Sequence, residues 1–260
     1  MALLTFEPDG PYPLISISNT SFDFHNTSNI AQWFSTELSL THNVILRALN
    51  AIWLNAFLVL PADEGDFMGF GLACLSMIRS HHETQEKVVF PILQEKIDMR
   101  MNVVQHIEFD ELLKDLETYL RKVQNKQEPY DSGRLLELRA ALGSRLVQHL
   151  HDEVDTVNPK YLYAFSKQEL MNLVHAIDEH KKNFRDSATL LPFIVTNHHK
   201  EDAPDWPIVP ASLKWLTNHV GFQLHRHYWK FSPYTATGDV QTYPPHSEPS
   251  HAFHFTRHNS

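Results

Sequence analysis

Leu75-Ser76-Met77-Ile78-Arg79-Ser80-His81-His82-Glu83-Thr84-Gln85-Glu86-Lys87-Val88-Val89 decides how this chain is read. Leu75, Ile78, His82, Glu86 and Val89 recur at intervals of three and four, the period of one helical face. A histidine and a carboxylate thus interrupt an otherwise apolar row. Burying an unpaired carboxylate is costly, and a multivalent cation that accepts its oxygens relieves the penalty. The stretch reads as a buried helix carrying metal ligands.

Three further segments repeat the pattern. From about Thr36 to Leu60 the apolar stripe is Leu38, His42, Ile45, Leu49, Ile52 and Ala56. From about Asn102 to Gln124 it is His106, Phe109, Asp110, Leu113, Leu116 and Leu120. The last stripe is Leu135, Leu138, Leu142, Leu146, His149 and Glu153, stopped by Asn158-Pro159. Pro61 to Asp66 and Asn125 to Gly133 supply the breaks, and Pro91 predicts a kink or an early end to a second helix that runs roughly to Glu95. The segments bring together His42; His82 with Glu83 and Glu86; His106; and His149 with Glu153. Around a helix Glu86 lies about 40° from His82 and Glu83 about 100°, so one helix can serve two ions. Imidazole and carboxylate without sulfur favour iron or manganese, although affinity order alone does not separate these from zinc or copper.

The bulk properties narrow the remaining classes. A chain of 260 residues, 42% hydrophobic, can bury one large domain or one domain with an appendage. A net charge of −9 without a Lys/Arg cluster gives no footprint for nucleic acid. Cys74 is the single cysteine, which excludes a thiolate cage and an intrachain disulfide. The first residues lack a basic, then apolar leader, and no apolar run reaches the length of a membrane span. A cytoplasmic protein without membrane or nucleic-acid partners is expected.

The motifs Thr41-His42-Asn43, His81-His82-Glu83-Thr84-Gln85-Glu86-Lys87-Val88-Val89-Phe90-Pro91, Gln105-His106-Ile107-Glu108-Phe109-Asp110 and Gln148-His149-Leu150-His151-Asp152-Glu153 resemble the hemerythrin-like, or HHE cation-binding, family. The resemblance implies an all-α, up-down-up-down four-helix bundle holding two non-haem irons (Fe2+/Fe3+) bridged by carboxylates and an oxo or hydroxo group. It implies His42, His82, His106 and His149 as terminal ligands and Glu86 as a bridge. Likeness to iron-sensing members of the family adds Glu83 and Glu153. Where the family's oxygen carriers have a second histidine on the third helix, this chain has Asp110. Three roles are open to it: ligand, partner orienting His106, or solvent-facing residue.

The organisation expected is an N-terminal arm over 1–35, the bundle over 36–159, a mostly helical extension over 160–232 and a disordered tail over 233–260. Ser166-Lys167-Gln168-Glu169 reads as a capping box opening a helix to about Lys182. Leu190 to Thr196 is apolar enough to pack on the bundle, and Trp206, Trp229 and Phe231 are aromatic anchors around a helix of about Ala211 to Leu224. This layout resembles the C-terminal extension of fungal hemerythrin-like proteins, and it either lines a substrate pocket or forms a structural collar. Anionic donors stabilise higher-valent iron, so the first functional expectation is an oxidase or oxygenase acting with dioxygen on a small organic molecule. The alternative is a protein that carries, stores or senses iron or oxygen without turnover. Substrate, electron donor and oligomeric state are not written in the sequence.

Overall fold

The structure, a computed structural model, describes residues 10–17, 27–182 and 187–243. Four long helices form the bundle: α1 (Ile30–Asn55), α2 (Glu64–Thr84), α3 (Arg100–Gln124) and α4 (Ser132–Thr156). Each packs on the next and α4 closes on α1, the ring that short loops between antiparallel helices produce. No strand occurs among the described residues, only an isolated bridge between Tyr234 and Val240. No described helix is long and apolar enough to cross a membrane.

Local chemistry fixes the helix ends. Asn29 caps α1 through its side chain, with the Gln32 amide donating at 3.1 Å, so the helix starts ahead of Thr36 and ends at Asn55, short of Leu60. Ile30, Ala31 and Phe34 are thereby buried rather than left in an arm. After Thr84 the second helix widens into a π turn (Gln85–Val89) and a last turn (Phe90–Leu93). Pro91 has no N–H to give, and the Phe90 N–H bonds the Gln85 carbonyl five residues back. The helix therefore passes the proline and stops at Leu93, two residues before Glu95.

Residues 10–17 lie along α1. Asn43 and Asn50, two helical turns apart, grip this segment's backbone: Asn43 bonds both Ile15 N–H and C=O at 2.8 Å, and Asn50 bonds Tyr12 N–H at 3.0 Å and C=O at 2.8 Å. The rest of the expected arm, 1–9 and 18–26, lies outside the described residues.

The extension covers the α1–α2 side. The expected capping box opens α5 (Lys167–Lys181), with Ser166 and Glu169 exchanging bonds. Helix α6 (Ser187–Asn197) follows, then α7 (Ala211–Leu216), continued by a π turn to Gly221. Two polar latches on one face of α1 hold it: Trp206 Nε1 donates to Glu37 at 2.5 Å, and Arg47 pairs with Asp202 at 2.6 Å. Trp206, Trp229 and Phe231 are buried anchors. Order continues past Pro233: Tyr234 and Tyr243 are buried, and the Tyr243 hydroxyl donates to Asp63 at 2.7 Å. The tail expected from 233 is thus packed to 243, and 244–260 lies outside the described residues.

The apolar interior falls into two clusters. The larger includes Val44, Ile45, Ile78, Phe109, Leu146 and Leu150; the smaller includes Phe34, Leu38, Val89, Phe90, Met99 and Val157. Along each bundle segment the histidine lies between the two clusters: Leu38 and Ile45 flank His42, Ile78 and Val89 flank His82, Met99 and Phe109 flank His106, and Leu146 and Val157 flank His149.

Candidate metal centre

That polar layer is built from two groups of side chains. His82, His106 and His149 form one, and His42, His81 and Glu153 the other; within each, one ligand-type atom per residue lies within 4.8 Å of the rest. His42, His149 and Glu153 are fully enclosed, His82 and His106 are buried, and His81 is partly reached by solvent.

The outer ring nitrogens identify the inner ones. His42 Nδ1 donates to the Leu150 carbonyl at 2.9 Å, and His106 Nδ1 to Glu86 Oε1 at 2.9 Å. His149 Nδ1 donates to Gln105 Oε1 at 3.1 Å, an amide whose orientation is fixed because its Nε2 donates to Asp152 at 2.8 Å. A ring nitrogen that meets a carbonyl or carboxylate must carry the proton, leaving Nε2 as a bare lone pair in the neutral ring. Burial lowers the affinity of these rings for a second proton: His81 and His82 are held well below the usual imidazole range, His106 below it, and His149 at about 3.

Yet the Nε2 atoms converge. His106 and His149 approach through Nε2 at 3.0 Å, as do His42 and His81. For His106 and His149, whose Nδ1 atoms both carry the proton, two lone pairs at that distance repel unless a cation lies between them. A shared cation would accept both lone pairs, so the residues fit a metal. His82 adds to the case, since both its buried ring nitrogens lack a hydrogen-bond partner, a loss of about 1–3 kcal/mol for each unsatisfied group.

Glu153 joins the two groups. Its Oε2 lies 3.2 Å from His42 Nε2 and 3.7 Å from His149 Nε2. Oε2 is itself buried without a hydrogen-bond partner; burial pushes the carboxyl up, and the imidazoles of His42, His149 and His81 around it pull it down, to about 2. It is an anion in the core. The donor set is thus imidazole and one carboxylate; Cys74, elsewhere in the core with its thiol pushed up to about 12, offers no thiolate.

The expected ligands fall into three places. His42, His82, His106, His149 and Glu153 come together. Glu86 is 53% exposed and supports His106 from outside, away from the junction that Glu153 occupies. Glu83 (45% exposed) pairs with Lys87, and Asp110 (47% exposed) pairs with Lys114 at 2.7 Å, so neither enters the cluster. The reason is rotational. The buried row of α2 is Leu75, Ile78, His82, Gln85 and Val89, stepping three residues from His82 to Gln85 where the sequence reading stepped four to Glu86. With that face inward His81 turns into the bundle and Glu83 out of it. His81 is the residue the sequence reading missed; its signal was its position beside His82, about 100° around the helix on the side opposite Glu83.

The surroundings are apolar. The Phe109 ring lies 4.8 Å from that of His82 and 5.5 Å from those of His106 and His149, and Phe90 lies 5.1 Å from His106. A separate cavity of about 310 Å³, lined by Ser76, Arg79, Glu117, Arg121, Thr189 and Tyr228 among others, runs between α2, α3 and the extension. It shares no lining residue with the histidine cluster.

Comparison with known proteins agrees with this geometry. Residues 36–161 match the hemerythrin HHE cation binding domain family. The chain is also similar to the dimeric xanthone biosynthesis cluster protein R11 of Cryptosporiopsis sp. (strain 8999), 22% identical over 239 residues, covering 88% of this chain and 89% of that protein. No solved structure matches the chain.

Proposed function

We propose that this chain, whose residues 36–161 form a hemerythrin HHE cation-binding domain, holds two non-haem irons and uses dioxygen to oxidise or oxygenate a small organic molecule. The observation that carries the reading is the unequal division of donors. His82, His106 and His149 form an all-imidazole group walled by Phe109. His42, His81 and Glu153 are two imidazoles and a carboxylate, the donor set that suits ferrous iron with open positions for oxygen chemistry. His81 is its solvent-reached member.

Iron bound here would supply the electrons that reduce dioxygen. The protein's own part is positional. The Leu150 carbonyl, Glu86 and Gln105 fix His42, His106 and His149 by their outer nitrogens. Glu153 supplies the anionic charge between the two groups, and Phe109 keeps water from the imidazoles. The similar protein is named for a biosynthesis cluster, which supports small-molecule chemistry for this chain too.

A second reading, binding of iron or oxygen without turnover, is favoured by one observation. Glu83, Glu86 and Asp110 stand outside the cluster, leaving fewer anionic donors to stabilise oxidised iron than the sequence suggested. The test loads the protein anaerobically with ferrous iron and mixes it with oxygen in the presence of a panel of small organic molecules. Oxygen uptake that persists under vacuum, with substrate converted, supports the oxidase or oxygenase. Uptake reversed under vacuum with ferrous iron recovered supports the binding protein.

A further inference from the structure

We infer that Gln85 is the positioning residue that presents Glu153 to both donor groups; the inference rests on the metal reading above. Gln85 opens the π turn and is 3% exposed. Its Nε2 donates to Glu153 Oε1 at 2.5 Å, which leaves Oε2 turned toward His42 and His149. The other end of its amide, Oε1, is buried without a hydrogen-bond partner.

The amide is a specific solution. Glutamate at this position would set two carboxylates face to face in the core, where one of them must take up a proton when no cation is present. A hydrocarbon would remove the donor from Glu153 Oε1 and free the carboxylate to rotate. Gln85 fixes Glu153 without adding charge. Gln85 continues the buried row three residues after His82, while Glu86 meets His106 at the rim. Two neighbours in sequence thus divide the support: Gln85 orients the carboxylate and Glu86 orients an imidazole.

The experiment titrates wild type, Gln85→Leu and Gln85→Glu with ferrous iron under anaerobic conditions, following metal content and the rise in melting temperature. In Gln85→Leu the affinity for iron should fall about 10- to 100-fold, the usual effect of losing a group that orients a ligand, and the rise should shrink. Gln85→Glu should melt below wild type without metal and show a larger rise with it. A merely structural role for Gln85 would lower both states of both variants together, leaving the rise unchanged. Equal rises in all three proteins, with a clear rise in wild type, overturn the assignment of Gln85 alone. No rise in wild type overturns the metal reading and this inference with it. If Gln85→Glu does not fold without metal, the affinity of Gln85→Leu decides.

Discussion

The Nε2 atoms of His106 and His149 face each other at 3.0 Å while both Nδ1 protons are committed outward, to Glu86 and to Gln105. Neither ring can supply a proton to the other without losing its outer bond or becoming charged in a buried site. This close approach of two lone pairs, with His42 and His81 meeting through Nε2 at the same distance beside Glu153, is the reason for reading the layer as a metal centre.

Metal content should follow the geometry rather than the count of acidic residues. Glu153→Ala should lower occupancy at both groups, since Oε2 lies between them. Glu86→Ala should weaken binding about 10- to 100-fold while leaving both groups able to fill at high iron, because Glu86 touches only the outer nitrogen of His106. Elemental analysis across an iron titration checks both. Equal losses in the two variants would restore Glu86 to the junction.

His81→Ala should reduce bound metal from two ions toward one, removing a donor from the group it forms with His42 and Glu153. Glu83→Ala and Asp110→Ala should leave metal content unchanged and alter stability by no more than about 0.5 kcal/mol, as exposed substitutions do. The same elemental analysis reads the metal content of all three, and thermal melts read the stability of the last two. Full occupancy in His81→Ala would remove that residue from the site.

His81 also shows what the sequence conceals. Periodicity located the four helices, the face of each that carries a histidine, and the capping box at Ser166, because these depend on local spacing. Choosing between His81 and Glu83 needs the rotation of α2 to within half the angle between neighbours, which packing against the other helices sets. The order of residues 233–243 was hidden for another reason: Tyr243 is anchored by Asp63, 180 positions away, a contact no local window contains.

Chelation should lower the melting temperature. A ligand that binds only the folded state, at a concentration about a thousand times its Kd, stabilises it by about 4 kcal/mol, and for a chain of this size that corresponds to roughly 8–16 °C. Calorimetry of metal-free and iron-loaded protein is the check. Superimposable transitions would mean that the buried lone pairs are satisfied without a cation.

Acid should loosen the extension. Burial holds His198 at about 4 even though its Nε2 bonds the Ala203 carbonyl. A histidine depressed in the folded state contributes stability that is present above the unfolded value of about 6.5 and lost as pH falls toward about 4, here by about 3 kcal/mol at most. Burial moves Glu37, bonded to Trp206, the opposite way, so the comparison of wild type with His198→Gln isolates the histidine. The Trp206 ring lies 4.7 Å from His198, and tryptophan fluorescence between pH 7 and pH 4 reports the change. A transition of the same midpoint and size in both proteins would assign the acid response elsewhere.

The most direct test of the centre is anomalous diffraction at the iron edge from crystals loaded anaerobically with ferrous iron. The account requires two peaks, one among His42, His81 and Glu153 and one among His82, His106 and His149, with Glu153 between them. A single peak, or ions held by Glu83 or Asp110 with His81 turned away, would contradict it.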